Sequence, residues 1–257
     1  MVNDIAQESQ DYLNQFYDML AKRVFNVDED KHRFEIKKEY VSKAGIWIAK
    51  KRYAQWIISD NGVAVDKLDV KGLDTVRSNY PAAFREFMSE ILIEILKDHT
   101  ETQITNRVHN FKDNLSKMDV VKVAKAGTVK NLSKYMIKKK EQNAMFQFIS
   151  GTPAHVKASI AYNQMLKHFN LEKKYAPLKN GDKIKWVYLK QNEYGLDAIA
   201  INGYNDPPEV MNFINKYIDY NKIFERELLK KLEDFYGALN WGEVLSSTKT
   251  AEKFFSF

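Results

Sequence analysis

The stretch from Ile46 to Ile58, I-W-I-A-K-K-R-Y-A-Q-W-I-I, constrains the fold more than any other part of the chain. β-Branched and aromatic side chains fill its two arms, which is the composition of a strand inside a sheet. Between the arms stand Lys50, Lys51, Arg52 and Tyr53. Burying an unpaired charge costs several kcal/mol, so these cations need partners. Strand alternation puts Lys50 and Arg52 on one face, Lys51 and Tyr53 on the other. Either carboxylates of the same protein meet them, or one face of the sheet meets an external polyanion. The local residues fit both readings.

The flanking sequence makes this stretch the central strand of an antiparallel meander. Arg33 to Val41 alternates Phe34 and Ile36 with charged residues, the period of a half-buried strand. After Ile58, Asn61-Gly62 supplies a two-residue hairpin turn in which both residues tolerate positive φ. Val63 to Lys71 then returns as the third strand. Ahead of the sheet, Leu13, Phe16, Tyr17, Leu20 and Val24 recur at helical spacing and predict an amphipathic helix over 4–24. Asp28-x-Asp30 has the outline of a paired-carboxylate metal site. With nothing apolar on either side, it reads instead as a solvated turn.

Composition narrows the function. The net charge of +6 and pI near 9.1 favour an anionic partner. With no cysteine the chain has neither disulfides nor thiolate chemistry, which fits an intracellular protein. His32, His99, His109, His155 and His168 show no metal-binding spacing. No apolar run approaches the roughly 20 residues of a membrane span, and M-V-N-D-I-A-Q-E carries no secretory signal. At 257 residues, one large domain or two smaller ones could each bury a core.

Past the meander the chain is mainly helical. Asn79 reads as an N-cap with Pro81 in the first turn, and Phe84, Phe87, Met88, Ile91, Leu92, Ile95 and Leu96 form the apolar stripe that follows. More helix is expected over 102–116. Residues 120–140 carry seven lysines and no acid, a one-signed run that suits a phosphate-facing surface or a merely soluble basic loop. A helix from His155 to Phe169, a hairpin of Ile184–Leu189 with Ala198–Ile201, and a helical pair after Pro207-Pro208 complete the body. In the last helix Phe224, Leu228, Leu232, Phe235 and Leu239 make the buried face. A polar linker, Ser246 to Thr250, leads to the terminal A-E-K-F-F-S-F.

Taken in order, these motifs resemble the C-terminal part of family B DNA polymerases of the T-even-like phage type. Lys50 to Tyr53 matches the K-K-R-Y of the palm. Gly72-Leu73-Asp74-Thr75-Val76-Arg77-Ser78 matches the glycine-leucine-acid and arginine-serine pattern before a helix. Gly151-x-Pro153-x-His155-Val156-Lys157 with Tyr162-Asn163 is similar to a thumb motif, as are Gly181-Asp182-Lys183-Ile184, Val187-Tyr188-Leu189-Lys190 and Tyr217-Ile218-Asp219-Tyr220. The terminal residues resemble the tail peptide that docks on the sliding clamp.

The resemblance implies an α+β chain: an antiparallel palm meander with a flanking helix, then a mainly helical thumb with a small β-hairpin. It divides the chain into 1–78, the end of the palm; 79–245, the thumb; and 246–257, the linker and clamp-binding peptide. It implies primer–template contacts by Lys50, Lys51, Arg52, Tyr53, Arg77, Lys125, Lys130, Lys134, Tyr135, His155 and Lys157. Clamp contacts fall to Phe254, Phe255 and Phe257. The family's Y-G-D-T-D-S hairpin belongs upstream of the first helix, so no catalytic or metal-binding residue is expected in this chain. The expectation is the C-terminal subunit of a split polymerase in the cytoplasm of an infected bacterial host. Its partner would carry exonuclease, fingers, catalytic aspartates and Mg2+, and would meet Tyr12, Phe16, Tyr17 and Phe34. A non-catalytic DNA-binding or clamp-associated protein derived from a thumb is the alternative.

Overall fold

Residues Val2–Phe25 form the first helix, α1, with Asp4 in the first turn and Lys22 and Arg23 in the last, each placed favourably against the helix dipole. Asn26 ends it at φ 53°, and the Val27 N–H donates back to the Ala21 carbonyl at 3.1 Å. The computed structural model describes residues 2–73, 75, 77–135, 148–203 and 205–244. The chain divides into two units, 1–71 and 72 onward. No helix among the described residues is long and apolar enough to cross a membrane.

The N-terminal unit places an antiparallel sheet after α1, with β1 (Tyr40–Ala49), β2 (Arg52–Asp60) and β3 (Val63–Lys71) in that spatial order. The meander is as expected, but two of its strands are not. The predicted strand over 33–41 is absent before Tyr40. There α1 side chains take the place of a neighbouring strand: Asn14 accepts from the Ile36 N–H at 2.8 Å and donates to the Ile36 carbonyl at 3.0 Å, and Gln10 accepts from the Lys38 N–H at 2.8 Å. The backbone groups are satisfied, so no ladder is needed.

The second correction concerns Ile46–Ile58, which is two strands rather than one. Lys50 and Lys51 form the turn between them, with Ala49 opposite Arg52 and a bulge between Trp47 and Ala49. The cations that looked costly to bury are therefore at a solvated tip. Lys51 takes φ 62° there, a conformation that favours glycine or asparagine, which is why the turn left no mark in the sequence. Strand alternation accordingly does not relate Lys51 to Tyr53. Asn61 (φ 49°) and Gly62 (φ 84°) make the expected turn between β2 and β3.

The C-terminal unit opens with α2 (Ala82–Leu96) and α3 (Glu101–Asn114). The apolar stripe of α2 is buried as predicted, against Ile104, Val108 and Phe111 of α3. Its cap is not Asn79, because Pro81 itself occupies the N-cap position at φ −59°, ψ 139°. A residue before proline is driven out of the helical region, so Tyr80 cannot belong to the first turn. α3 starts with a capping box between Thr100 and Gln103.

Within 120–135 the run of lysines breaks into α4 (Val120–Val123), β4 (Lys125–Thr128) and α5 (Leu132–Tyr135). Next come α6 (Ala154–His168), β5 (Lys183–Tyr188), β6 (Ala198–Ile201), α7 (Pro208–Tyr217) and α8 (Tyr220–Phe224), and then α9 (Lys230–Ala238) after a π-helical turn at Glu225–Leu229. The predicted hairpin is β5–β6, but β4 pairs on its other side, so the sheet has three strands in the order β4-β5-β6. K-A-G-T is too short and too small in side chains to show a period. Tyr162, Met165 and Leu166 of α6 lie buried with Val187, Ile199 and Ala200 of the sheet. Lys138, Lys139 and Lys140, and the predicted clamp-binding Phe254, Phe255 and Phe257, lie outside the described residues.

Candidate nucleic-acid interface

Seven of the eleven DNA-binding residues singled out from the sequence gather in two places, one in each unit. In the N-terminal unit, the Lys50–Lys51 turn is exposed, and Arg52 and Tyr53 follow it, half-buried, at the start of the central strand. Tyr53 pairs across the ladder with Trp47 on one side and Lys71 on the other. The Tyr53 and Trp47 rings lie 6.5 Å apart between centroids, with their planes 26° apart. The Lys71 ammonium is 3.1 Å from Asp69, which holds its pKa above the ordinary lysine value, chiefly through that hydrogen bond.

The second place is a cleft of about 730 Å³ in the C-terminal unit, bounded by the Ser78–Asn79 loop, β4, the start of β5 and the first turn of α6. Lys125, Lys130, Lys183 and His155 line it, with the Trp186 indole in its wall. Gly127 packs against the first turn of α6, where a Cβ would stand 3.4 Å from the His155 Cβ, about van der Waals contact. Burial pushes the His155 imidazole below its ordinary pKa, and the nearby Lys130 charge pushes it the same way.

One of the cations lining the cleft, Lys125, is held from behind by a carboxylate. Glu227, buried in the π-helical turn, meets the Lys125 ammonium at 2.8 Å and the Lys231 ammonium at 3.7 Å. Its backbone carbonyl accepts from the Tyr80 hydroxyl. Lys125 also lies over the Trp186 ring at 5.5 Å, and Lys231 over Tyr80 at 4.8 Å. Glu227 thus ties the loop, the strand and the last helices together around one wall of the cleft. π-Turns of this kind recur where a fold positions a special side chain.

The remaining sequence candidates divide by what holds them. Arg77 is exposed on the loop before α2, and Lys134 is exposed above the Tyr135 ring at 5.4 Å. Lys157, on the second turn of α6, is 3.1 Å from Asp197. Sequence reading did not select Ser78, Asn79, Lys183 or Trp186 for the cleft, or Trp47 and Lys71 for the hairpin. The alternation of Lys183 and Lys185 with Ile184 and Trp186 along β5 was the available signal. Lys185 turns out to cap α4 instead, donating to the Val121 carbonyl at 2.7 Å.

Two exposed cation-rich surfaces with aromatic neighbours suit a phosphate backbone. Carboxylates are arranged otherwise. Asp28 lies in an exposed turn, paired with Lys31 at 2.8 Å, and among the described residues no three Asp, Glu or His side chains converge as a divalent cation requires.

Comparison with known proteins gives this geometry a context. The model of DNA polymerase family B matches residues 4–238. The DNA-directed DNA polymerase of Enterobacteria phage T4 is 26% identical over 192 residues, covering 73% of this chain and 20% of the relative. The DNA-directed DNA polymerase of Escherichia phage RB69 is 25% identical over 204 residues, covering 76% and 21%. The chain spans about a fifth of the length of these curated relatives.

Proposed function

Because this chain belongs to DNA polymerase family B, we propose that it is the C-terminal subunit of a split phage polymerase, completing the palm and gripping primer–template DNA. A separate polypeptide supplies the exonuclease, the fingers and the aspartates that hold Mg2+. The described residues of this chain do not fit that metal, and its part in nucleotidyl transfer is to position the substrate strand. Lys50, Lys51, Arg52 and Tyr53 engage the primer end, where minor-groove acceptors are present at every base pair and contacts test geometry without reading sequence. Arg77, at the end of the palm, and Lys130, Lys134, Tyr135 and His155 of the thumb follow the phosphates. Lys125 and Lys157 lie along the same path from within ion pairs. Phe254, Phe255 and Phe257 dock on the sliding clamp, and the assembly works in the cytoplasm of the infected host.

The observation that carries the two-chain reading is the surface of the N-terminal unit. Ile5, Tyr12, Phe16 and Met19 recur on one face of α1 and are exposed, Tyr12 by 70%. Phe34, also exposed, lies beside Tyr17 and Phe25 at 6.2 and 5.9 Å. Among the described residues every exposed large apolar side chain except Ile149 belongs to this unit. An apolar stripe of that extent is what one half of a divided domain core presents. Loss of the ring and the desolvation cost of a buried carboxylate would make Phe16→Asp release a polypeptide seated there.

The test is reconstitution. Primer extension is expected when this chain is mixed with a polypeptide carrying the remaining four-fifths of a family B polymerase, and from neither alone. Phe16→Asp should abolish both association and extension. Extension by this chain alone overturns the proposal. DNA binding without any association with such a polypeptide favours the non-catalytic DNA-binding reading.

A further inference from the structure

The exposed indole of Trp47 stands beside the primer grip of Lys50 to Tyr53 without belonging to it. It is 64% exposed, on a sheet face that it shares with Gly45, Tyr53, Gln55, Asp69 and Lys71. Its position is specified by Gly45, two residues earlier on the same face. A Cβ at Gly45 would lie 2.5 Å from the Cη2 and 2.7 Å from the Cζ3 of the indole. The ring therefore folds back over the glycine, with one side covered by backbone and the other open. Tyr53 continues this floor on the next strand, and Lys71 ends the same cross-strand row. The Lys50–Lys51 turn is at the adjoining end of the hairpin.

The setting separates Trp47 from the apolar stripe of α1. A protein partner covering Trp47 would bury Lys50 and Lys51 beside it, and lysine is depleted from protein interfaces because its desolvation is costly. A DNA strand meets both demands, offering phosphates to the lysines and a sugar or base face to the ring. Aromatic platforms beside cations hold nucleic acid in this way without reading sequence. We infer that Trp47, laid flat by Gly45 beside Tyr53, is a second DNA contact of the palm hairpin that packs against the primer strand next to the Lys50–Lys51 turn. The inference rests on the primer-grip reading proposed above and adds the residue that supplies its apolar half.

Binding of a labelled primer–template to the full chain, followed by fluorescence anisotropy across a salt series, tests it. Trp47→Ala should weaken binding about tenfold at every salt concentration, leaving the slope of log K against log salt unchanged, because a ring contact releases no counterion. Trp47→Phe should stay within about threefold of the parent, since an aromatic face remains. Gly45→Ala should behave like Trp47→Ala although the tryptophan is present, because the added methyl displaces the ring. Since the ring is exposed, the thermal midpoints of Trp47→Ala and Trp47→Phe should match the parent. Trp47→Ala binding within twofold of the parent, while Lys50→Ala and Lys51→Ala weaken binding, overturns this inference and leaves the primer grip standing. No salt-dependent binding by the parent chain overturns both.

Discussion

The two cationic surfaces differ in what holds their charges. At the hairpin of the N-terminal unit, Lys50 and Lys51 occupy a solvated turn, and Lys51 takes a backbone conformation that a glycine would adopt more cheaply. In the cleft of the C-terminal unit, Lys125 is committed to the buried Glu227, and farther along α6 Lys157 is committed to Asp197. The hairpin leaves both ammonium groups exposed, on a backbone that costs it some stability. The C-terminal unit spends much of its charge on its own architecture. Equal numbers of lysines in a sequence therefore need not mean equal grip on a polyanion.

The largest effect should follow from attacking the internal commitment. Glu227→Ala leaves two partly buried ammonium groups facing a cavity, and breaking such a pair typically costs about 3–5 kcal/mol. Urea unfolding of the full chain should show a loss toward the lower end of that range, since Lys125 retains some exposure. Glu227→Gln, which keeps the shape, should cost less. An Ala variant that unfolds at the parent midpoint would mean the pair contributes nothing. The hairpin should respond in the opposite sense. Lys50→Ala with Lys51→Ala should make the salt dependence of DNA binding shallower by about two units while leaving unfolding unchanged. Lys51→Gly is the sharper variant: relief of the φ 62° backbone should raise stability by about 1 kcal/mol even as DNA affinity falls.

An intermediate effect belongs to His155, which Lys125, Lys130 and Lys183 face across the cleft. Its pKa is depressed in the folded protein, by burial first and by Lys130 second. A bound phosphate would raise it, so binding takes up a proton. Lowering the pH from about 7.5 to about 5.5 should therefore strengthen DNA binding severalfold in the parent, and the rise should be absent in His155→Gln. The stability term has the other sign. The unfolded chain binds this proton more tightly, so stability is lost as pH falls below about 6.5. A parent affinity that does not rise over that interval would place His155 away from the phosphates.

What could be read from the sequence was what depends on near neighbours. The buried stripe of α2 was legible because helical period fixes a face over fifteen residues. Asn61-Gly62 was legible because few residue pairs accept two positive φ angles. The Lys50–Lys51 turn was hidden because lysine carries no turn signal, and the strand-forming arms on either side disguised two strands as one. β4 was hidden because four small residues have no period; its identity comes from pairing with β5, which lies more than fifty residues away. The Lys125–Glu227 pair spans 102 positions, and nothing local marks Glu227 as the acid of its helix that turns inward. In site terms, the sequence located the charges but not which of them were already spoken for.

The smallest predicted change tests that last distinction most directly. Lys157 and Lys130 are both lysines of the C-terminal unit proposed to follow the DNA, but the Lys157 ammonium is 3.1 Å from Asp197, whereas Lys130 is exposed beside His155. A phosphate reaching Lys157 must displace Asp197, whose charge then needs its own counterion, so little net release remains to drive binding. Lys130→Ala should make the salt slope shallower by about one unit and Lys157→Ala by less than about half a unit. Asp197→Asn should do the reverse, freeing Lys157, strengthening binding and steepening the slope. Asp197 is itself half-exposed, so the substitution should leave folding intact. Equal losses from Lys130→Ala and Lys157→Ala, with no gain from Asp197→Asn, would show that the internal partner is given up freely on binding. The contrast between hairpin and C-terminal unit would then lie only in their burial.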